Sequence, residues 1–218
     1  MSDAAREIAV AVGGSRWLQG YVRGKLSTDP VFEAARAALA DCRGPIVDLG
    51  CGLGLLGFWL RWHGVSCPYR GCDLSSWKIS AGREAAMRMG QRDWELEVAD
   101  VTGFTLDGAA AVCVFDVIHY LDAESRARLL ANLAAAARCG ATILLRTGVR
   151  GCGWRSAVTM AEELWTRCCG WIRGGEVNFP VLSELRASFE VAGCRVAEAR
   201  PLWGHTPFSS HWIRVVAR

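Results

Sequence analysis

The stretch from Ile46 to Gly57, IVDLGCGLGLLG, constrains the fold more than any other part of the chain. An apolar run typical of a strand ends in glycines at Gly50, Gly52 and Gly54, and an apolar run typical of a helix follows. Glycine adopts a positive φ without strain and lets a ligand approach the backbone closely. A strand that turns through glycines into a helix is the nucleotide-binding element of open α/β sheets. The segment therefore predicts such a sheet, with a nucleotide-type pocket at this turn.

Strand-like and helix-like segments alternate along the chain from Gly44 onward. Such alternation is typical of a mostly parallel sheet with helices on both faces. Predicted strands lie near 45–49, 68–73, 94–99, 109–115, 141–146, 194–199 and 210–217. Predicted helices lie near 54–63, 75–89, 122–138, 154–169 and 182–192. The predicted fold class is therefore α/β, with a Rossmann-like, mostly parallel seven-stranded sheet, helices on both faces and an antiparallel last strand.

Two portions fall outside this alternation and suggest the domain organisation. Residues 1–43 have helical patterns broken by a turn at Ser27–Pro30, and we expect them to form an N-terminal helical cover. Residues 44–218 form the sheet domain, and within it residues 147–180, rich in glycine and tryptophan, form an insert near the substrate mouth. Ligands of open α/β sheets bind beyond the carboxyl ends of the strands. We therefore expect the cover and the insert to enclose a pocket at that edge.

Composition excludes several broad classes of protein. The 218 residues are 51% hydrophobic and 22% charged, which is typical of a globular domain and not of a disordered chain. The net charge is only +3 and no basic stripe is present, so nucleic acid is not an expected partner. The longest apolar runs, such as 109–114, are too short to span a bilayer, and acids interrupt the N-terminus where a signal peptide would be apolar. We therefore expect a cytoplasmic protein.

Ten cysteines invite a metal or disulfide explanation, but their spacing does not favour one. No CxxC pair occurs, Cys67 and Cys72 are five positions apart, and Cys168 and Cys169 are adjacent. The favoured interpretation is a set of reduced, buried thiols with no metal site, and a metal or disulfide framework is the alternative.

The glycines fit two ligand-binding patterns. The dinucleotide fingerprint GxGxxG occurs at 52–57, but its first glycine should come directly after the strand. The pattern Asp48-x-Gly50-x-Gly52-x-Gly54 does follow the strand directly, and it includes an acid. The second pattern therefore explains the position of the strand better, and Gly57 is then expected to serve helix packing.

Acids also follow the next three predicted strands. Asp73 stands 23 positions after Gly50, where a carboxylate can accept both hydroxyls of a ribose, and Asp100 and Asp116 follow the third and fourth strands. Dinucleotide enzymes use an acid at the first of these positions too, so Asp73 indicates a ribose without selecting the cofactor. The alternative roles for such acids are helix capping and simple solvation.

With these acids in order, the Asp-Leu-Gly-Cys-Gly sequence of residues 48–52 resembles the first motif of the class I S-adenosylmethionine (SAM)-dependent methyltransferases. The resemblance implies SAM as cofactor and S-adenosylhomocysteine (SAH) as product, with Asp73 on the ribose and Asp100 on the adenine amino group. The cofactor-binding residues that it implies are Asp48, Gly50, Cys51, Gly52, Gly54, Leu55, Asp73, Leu74, Asp100, Val101, Phe115 and Asp116.

The fourth motif, Asp116–Leu121, bears on the methyl acceptor. Methyltransferases acting on the exocyclic amino groups of bases carry prolines there, and this chain has none, which argues further against a nucleic acid substrate. Methyl transfer is mainly a matter of positioning, but an acceptor that carries a proton can need a base. His119 and Tyr120 follow the strand at the expected mouth and are the candidate catalytic residues, with packing as the alternative role of His119. His205 and His211 flank the last hairpin and are the other candidates to reach this mouth.

The segments 21–32 and 204–208 are similar to small methyltransferases encoded among the fatty-acid-type enzymes of bacterial aryl polyene pigment clusters. This resemblance implies bacterial secondary metabolism and a small aromatic hydroxy-acyl substrate carried on an acyl carrier protein. Arg23 and Lys25 would contact the acidic carrier, and Trp154 would line an aromatic pocket. Ordinary solvated charges and a buried helix stripe are the alternatives for these residues.

Three functions follow from these patterns. The leading hypothesis is a SAM-dependent methyltransferase acting on a small aromatic hydroxy-acyl substrate. The second is an NAD-dependent oxidoreductase that uses the glycines at 52–57. The third is a SAM-binding module that keeps the fold without catalysis.

Overall fold

The structure is a computed structural model that describes residues 3–150, 155, 158, 159, 161, 178–204 and 209–218. Its strands are β1 (Ile46–Leu49), β2 (Tyr69–Asp73), β3 (Trp94–Val98), β4 (Ala111–Phe115), β5 (Thr142–Gly148), β6 (Cys194–Pro201) and β7 (Ser210–Ala217). Its helices are α1 (Asp3–Val12), α2 (Arg16–Thr28), α3 (Val31–Leu39), α4 (Leu55–Trp62), α5 (Ser76–Arg88), α6 (Ala123–Arg138) and α7 (Leu182–Val191). A short 3₁₀ turn spans Ile118–Tyr120.

The seven strands form one sheet in the order β3-β2-β1-β4-β5-β7-β6. The first five strands pair in parallel, and β7 runs antiparallel to both β5 and β6. This arrangement confirms the predicted Rossmann-like α/β class with an antiparallel last strand. The chain crosses from the β1–β2–β3 half to the β4–β5 half after β3, so the carboxyl ends of β1 and β4 are adjacent. Ligand sites of open sheets lie at such a crossing point.

The predicted helical character of residues 1–43 is confirmed by α1, α2 and α3. The Ser15 hydroxyl accepts a hydrogen bond from the Leu18 amide and caps α2, while Asp29 and Pro30 separate α2 from α3. The buried side of α1 packs on α4 and α5, and α3 packs on α4. These helices therefore cover one face of the sheet domain.

Apolar side chains pack on both faces of the sheet. On the first face, Leu144 of β5 packs with residues of α1–α5, and on the second face, Ile143 and Leu145 pack with residues of α6 and α7. Successive residues of a strand point to opposite faces. The two residues that follow in β5, Arg146 and Thr147, therefore lie on opposite sides of the sheet at its carboxyl edge.

The helix α6 shows how the local sequence sets an element. The Asp122 carboxylate accepts a hydrogen bond from the Ser125 amide at 2.7 Å, and Gly140 follows the helix with φ 102°. The helix predicted over 154–169 lies mostly outside the described residues. Within the described part of the chain, no helix is long and apolar enough to cross a membrane.

Free thiols are found at every described cysteine. Five of them are buried, namely Cys51, Cys67, Cys72, Cys113 and Cys194. The described residues contain no group of three or more His, Cys, Asp and Glu side chains arranged to hold a metal ion.

Candidate cofactor and substrate site

The glycine turn begins where β1 ends, and backbone hydrogen bonds set its conformation. The amides of Gly50 and Cys51 both donate to the carbonyl of Cys72 in β2, at 2.8 and 2.9 Å. Gly50, Gly52 and Gly54 adopt φ angles of 79°, 56° and 75°. Other residues adopt such angles rarely, because their Cβ meets the backbone. The chain thus folds over the end of β2 before it enters α4.

The surroundings of Gly50 and Gly52 differ. A Cβ at Gly50 would overlap the Cγ2 methyl group of Val117. A Cβ at Gly52 would stand in open space, with Asp73 Oδ2 and Lys78 Cδ as its nearest neighbours, both at 3.9 Å. Gly50 therefore permits close packing inside the protein, whereas Gly52 leaves its face open to a ligand.

Gly57 is a packing glycine in α4. A Cβ there would lie 2.7 Å from the ring of Trp94 and 2.9 Å from the ring of Tyr69. The helix can therefore approach the sheet closely only because residue 57 has no side chain. This contact accounts for the third glycine of the 52–57 pattern without any ligand.

Asp73 lies at the end of β2, directly beside the open glycine. Its Oδ2 accepts a hydrogen bond from the Gly52 amide at 3.0 Å, and its Oδ1 accepts one from the Ser75 amide at 2.8 Å. Each carboxylate oxygen can accept a second hydrogen bond. The next side chain, Leu74, is apolar and yet 54% exposed. A fixed carboxylate and an exposed apolar surface thus lie side by side at the edge of the sheet.

Asp100 and Val101 follow β3 and have opposite environments. Asp100 is exposed, and its Oδ1 accepts hydrogen bonds from the Thr102 hydroxyl and amide at 2.5 and 2.7 Å, which lower the pKa of the carboxyl group. Val101 is buried in the core beside α6. The side chain of Val101 therefore belongs to the core, and its predicted contact with the cofactor, through the backbone, stays a prediction.

Asp48 supports the turn from beneath. Its carboxyl group is buried and accepts a hydrogen bond from the hydroxyl of Tyr69. Burial raises the pKa of Asp48 to about 7, although the bond from Tyr69 acts in the opposite direction. The side chains of Cys51 and Leu55 are buried as well. Tyr69 therefore holds Asp48 beneath the turn, and the predicted contacts of Asp48, Cys51 and Leu55 with the cofactor stay predictions, for Cys51 and Leu55 through the backbone.

Asp116 is engaged by an arginine. It is the one non-glycine residue of the described chain with a positive φ, 57°. Its carboxylate accepts hydrogen bonds from Arg146 Nε, at 3.1 Å, and from Arg146 Nη2. Asp29 accepts from Nη1 of the same guanidinium, and Lys25 Nζ lies 3.2 Å from Asp29 Oδ2. Arg146 therefore holds the carboxylate of Asp116, and the predicted contact of Asp116 with the cofactor stays a prediction.

The same cluster corrects the prediction for Lys25. Burial opposes the charge of Lys25, but Tyr21 and Asp29 outweigh it and raise the pKa of the ammonium group. Lys25 is thus paired with Asp29, although its side chain is 34% exposed, and it is not simply offered to an acidic partner. Arg146 and Asp29 were missed in the sequence, although an arginine inside the apolar strand TILLRTG is a signal that it needs a buried anion.

His119 lies in the 3₁₀ turn after β4 and is only 1% exposed. Its Nδ1 lies 3.1 Å from the hydroxyl of Thr147, and its ring lies 4.2 Å from that of Tyr120 and 5.2 Å from that of Phe179. His119 therefore packs in the protein interior, which was the alternative role expected for it. Its role as a base stays a prediction. His211 of β7 lies opposite Thr147 of β5 in the antiparallel strand pair. Burial lowers the pKa of the His211 imidazole.

The remaining predicted residues are placed as follows. Phe115 is half-buried, with its ring 5.9 Å from that of Trp212. Tyr120 and Arg23 are half-buried, the latter on α2. Trp154 and His205 lie outside the described residues, so their predicted roles stay predictions.

Comparison with known proteins bears on the part of the chain that builds this edge. Residues 46–140, which run from β1 through α6, match a family model described as a methyltransferase domain. This segment is similar to a methyltransferase domain. The match includes the glycine turn and all three acids that follow β2, β3 and β4. The predicted class I methyltransferase family is thereby confirmed, and the aryl polyene resemblance stays a prediction.

Solved structures show the same fold over most of the chain. The mitomycin 7-O-methyltransferase superposes with a TM-score of 0.67 and 19% identity, over 93% of this chain and 57% of that one. The magnesium protoporphyrin IX methyltransferase of Synechocystis PCC 6803, solved with SAH, gives 0.66 and 16%, over 94% and 90%. An O-methyltransferase of neocarzinostatin biosynthesis, solved with SAM and 2-hydroxy-5-methyl naphthoic acid, gives 0.60 and 21%, over 90% and 61%.

These likenesses, at such low identity, concern the fold of the methyltransferase domain. The chain spans only about three fifths of the length of the mitomycin and neocarzinostatin enzymes. No curated protein matches the chain in sequence.

Proposed function

We propose that the chain is a SAM-dependent methyltransferase that acts on a small aromatic hydroxy-acyl substrate. The observation that carries the proposal is the open face of Gly52, with the carboxylate of Asp73 fixed beside it, inside the segment that matches a methyltransferase domain. A nucleoside with a charged amino acid tail needs a backbone that it can approach and an anchored acceptor for its ribose. Both lie at this edge of the sheet.

The described residues fit SAM. Gly52 presents open backbone to the ligand, and Asp73 holds two lone pairs beyond those taken by backbone amides. Leu74 offers an exposed apolar surface for the adenine, and Asp100 offers an acceptor for its amino group. When bound, SAM supplies a methyl group on a sulfonium, which makes that group open to nucleophilic attack.

The protein mainly positions the reactants. In the transfer, a bond forms between the acceptor oxygen and the methyl carbon while the carbon–sulfur bond breaks, and the acceptor proton must leave. His119 and Tyr120 follow β4 at this edge, and we propose that the His119 imidazole receives the proton while the Tyr120 hydroxyl forms a hydrogen bond to the acceptor. For His119 the receiving atom would be Nε2, because Nδ1 faces the Thr147 hydroxyl.

The proposed acceptor class rests on two kinds of support. The sequence resembles methyltransferases of aryl polyene clusters at 21–32 and 204–208, and the neocarzinostatin enzyme of the same fold was solved with an aromatic hydroxy acid. We propose in addition that an acyl carrier protein delivers the substrate, with Arg23 as the contact on the cover, in the cytoplasm of a bacterium and in its secondary metabolism. Lys25 is left out of this contact because Asp29 holds it.

Calorimetry on the purified chain tests the cofactor. We expect binding of SAM and SAH and none of NAD, and NAD binding without SAM binding would refute the proposal in favour of an oxidoreductase. Methyl transfer is then measured with radiolabelled SAM and a panel of hydroxyaryl acids, each as the free acid and as its carrier-protein thioester. SAM binding with no turnover on any of them would leave a silent SAM-binding module as the better description.

A further inference from the structure

One buried guanidinium joins the N-terminal cover to two strand tips. Arg146, near the carboxyl end of β5, donates to Asp29 from Nη1 and to Asp116 from Nε and Nη2. The side chains of Arg146 and Asp29 are only 8% and 12% exposed. Asp29 lies between α2 and α3, and Asp116 lies directly after β4. We name these three residues the Arg146 bridge.

The positive and negative charges around the Arg146 bridge balance, and its buried charged groups are hydrogen-bonded. Lys25 adds a second cation beside Asp29, so two cations face two carboxylates. Burial acts to raise the pKa of Asp29, but Arg146 and Lys25 lower it to about 2. Asp29 Oδ1 also accepts a hydrogen bond from the Val31 amide at 3.0 Å, at the start of α3. Buried charges persist when they are paired and hydrogen-bonded in this way, and removal of one partner leaves the others uncompensated.

The Arg146 bridge is connected to the glycine turn through Asp116 and the residue that follows it, Val117. The Asp116 amide donates to the carbonyl of Arg146 at 2.9 Å, so Arg146 holds both the backbone and the side chain of Asp116. Asp116 has a left-handed backbone, which a non-glycine residue keeps only when its surroundings impose it. The next residue, Val117, places its methyl group where a Cβ of residue 50 would be. A change in the conformation of Asp116 would therefore move the side chain against which the turn packs.

We propose that Arg146 is a positioning residue for the cofactor site. By holding Asp29 and Asp116 together, it fixes Val117 against Gly50 and so keeps the glycine turn in its binding conformation while the cover is docked. Arg146 would not touch the cofactor itself. It would influence cofactor binding through Val117, which packs against the backbone of the glycine turn. The inference rests on the proposed function, because the turn is the part of the site that would hold SAM.

The decisive variant is Asp29→Asn in the full chain, since it keeps the shape and one acceptor oxygen and removes one charge of the bridge. We expect its affinity for SAH, measured by calorimetry, to fall about tenfold, which corresponds to about 1.4 kcal/mol. We also expect faster hydrogen exchange in peptides covering 46–57, although the described hydrogen bonds and ion pairs of Asp29 go to Lys25, Val31 and Arg146. A role confined to the stability of the cover would raise exchange only in α4, on which the cover packs, and would leave exchange at 46–54 unchanged.

The matched control is Glu33→Gln, which removes a carboxylate from an exposed ion pair with Arg36 on the same cover. It should change neither SAH affinity nor exchange at 46–57. Arg146→Lys and Arg146→Gln form a graded pair, because lysine keeps the charge but cannot bind both carboxylates in the same geometry. The loss of SAH affinity should be smaller for lysine.

Two results separate the bridge from the proposed function. Wild-type SAH affinity and wild-type exchange at 46–57 in folded Asp29→Asn would overturn the positioning role, and this holds even if the Arg146 variants fail to fold. A wild-type chain that binds neither SAM nor SAH would instead refute the proposed function. Faster exchange at 46–57 in Asp29→Asn would in that case still support the connection between the cover and the turn.

Discussion

The Cγ2 methyl group of Val117 occupies the position that a Cβ of Gly50 would need. The strand tips of β1 and β4 are therefore in contact at the point where the glycine turn begins. The positive φ of Gly50, 79°, adds a second reason why this residue lacks a side chain. Two independent constraints thus act on one residue, and they can be separated experimentally.

Gly50→Ala should weaken SAH binding by more than tenfold, because alanine both strains the backbone and displaces Val117, and the strain alone is worth about 1 kcal/mol. Gly64→Ala is the matched control, since Gly64 has φ 85° but nothing within 4 Å of its Cβ position. The free energy of unfolding of Gly64→Ala should fall by about the same 1 kcal/mol of backbone strain, while its SAH affinity should be unchanged. Calorimetry and urea unfolding measure the two effects. If Val117→Ala fails to recover any affinity in the Gly50→Ala background, the steric part of this account is wrong.

Asp73→Ala should weaken SAM and SAH binding by about 10- to 100-fold, because hydrogen bonds to a charged group contribute about 1.5–3 kcal/mol. The fold should persist, since the bonds lost among the described residues are two hydrogen bonds from backbone amides, those of Gly52 and Ser75, at the edge of the sheet. Asp107→Ala, a change at an exposed acid in the loop after β3, serves as the control. Calorimetry on both variants, with circular dichroism as the check on folding, gives the answer. Unchanged affinity in Asp73→Ala would remove this residue from the site.

Asp48 should make the stability of the protein depend on pH in the direction opposite to most carboxyl groups. Its folded pKa is about 7, against about 3.9 for an unfolded aspartate, so the folded state binds the extra proton between these values. Stability due to Asp48 is therefore present below about pH 4 and is lost as the pH rises towards 7, by at most about 4 kcal/mol. The difference between wild type and Asp48→Asn isolates this effect from that of acids such as Asp29.

Urea unfolding of both proteins at pH 5.0 and 7.5 measures this effect. Asp48→Asn should gain stability relative to wild type at the higher pH, because asparagine still accepts the Tyr69 hydroxyl and carries no charge. A difference between the two proteins that is the same at both pH values would show that Asp48 titrates normally.

His119→Gln should lower stability by about 1–3 kcal/mol, because a buried hydrogen bond to Thr147 and the contacts with two aromatic rings are altered. Thr147→Val removes only the hydroxyl and should lower stability by about 1 kcal/mol. If His119 also receives the acceptor proton, His119→Gln should in addition reduce the methylation rate by about 100- to 10,000-fold at unchanged SAH affinity. A methylation rate close to wild type in folded His119→Gln would exclude the base role and leave packing alone.

Local patterns in the sequence predicted most of the fold. The alternation of apolar strands and amphipathic helices determined the sheet class, and the spacing of Gly50, Gly52 and Gly54 determined the turn, because both depend on residues close in sequence. The predicted bounds of β7, 210–217, agree with the structure. Prediction failed for side chains whose environment is set by contacts between residues distant in sequence. A strand buried on both faces does not reveal which way Asp48 points, and the pairing of Asp29 with Arg146 joins residues 117 positions apart.

The arrangement of side chains at the end of β5 limits which insertions and deletions the protein can tolerate. Arg146 and Thr147 are neighbours in sequence, yet one faces the carboxylates of Asp29 and Asp116 and the other faces His119. A slip of one residue in β5 would exchange their faces, leaving Asp116 without its cation and Asp29 with Lys25 alone, and burying a guanidinium beside an imidazole. Insertions or deletions within β5 should therefore be tolerated far less than in the loops at its two ends.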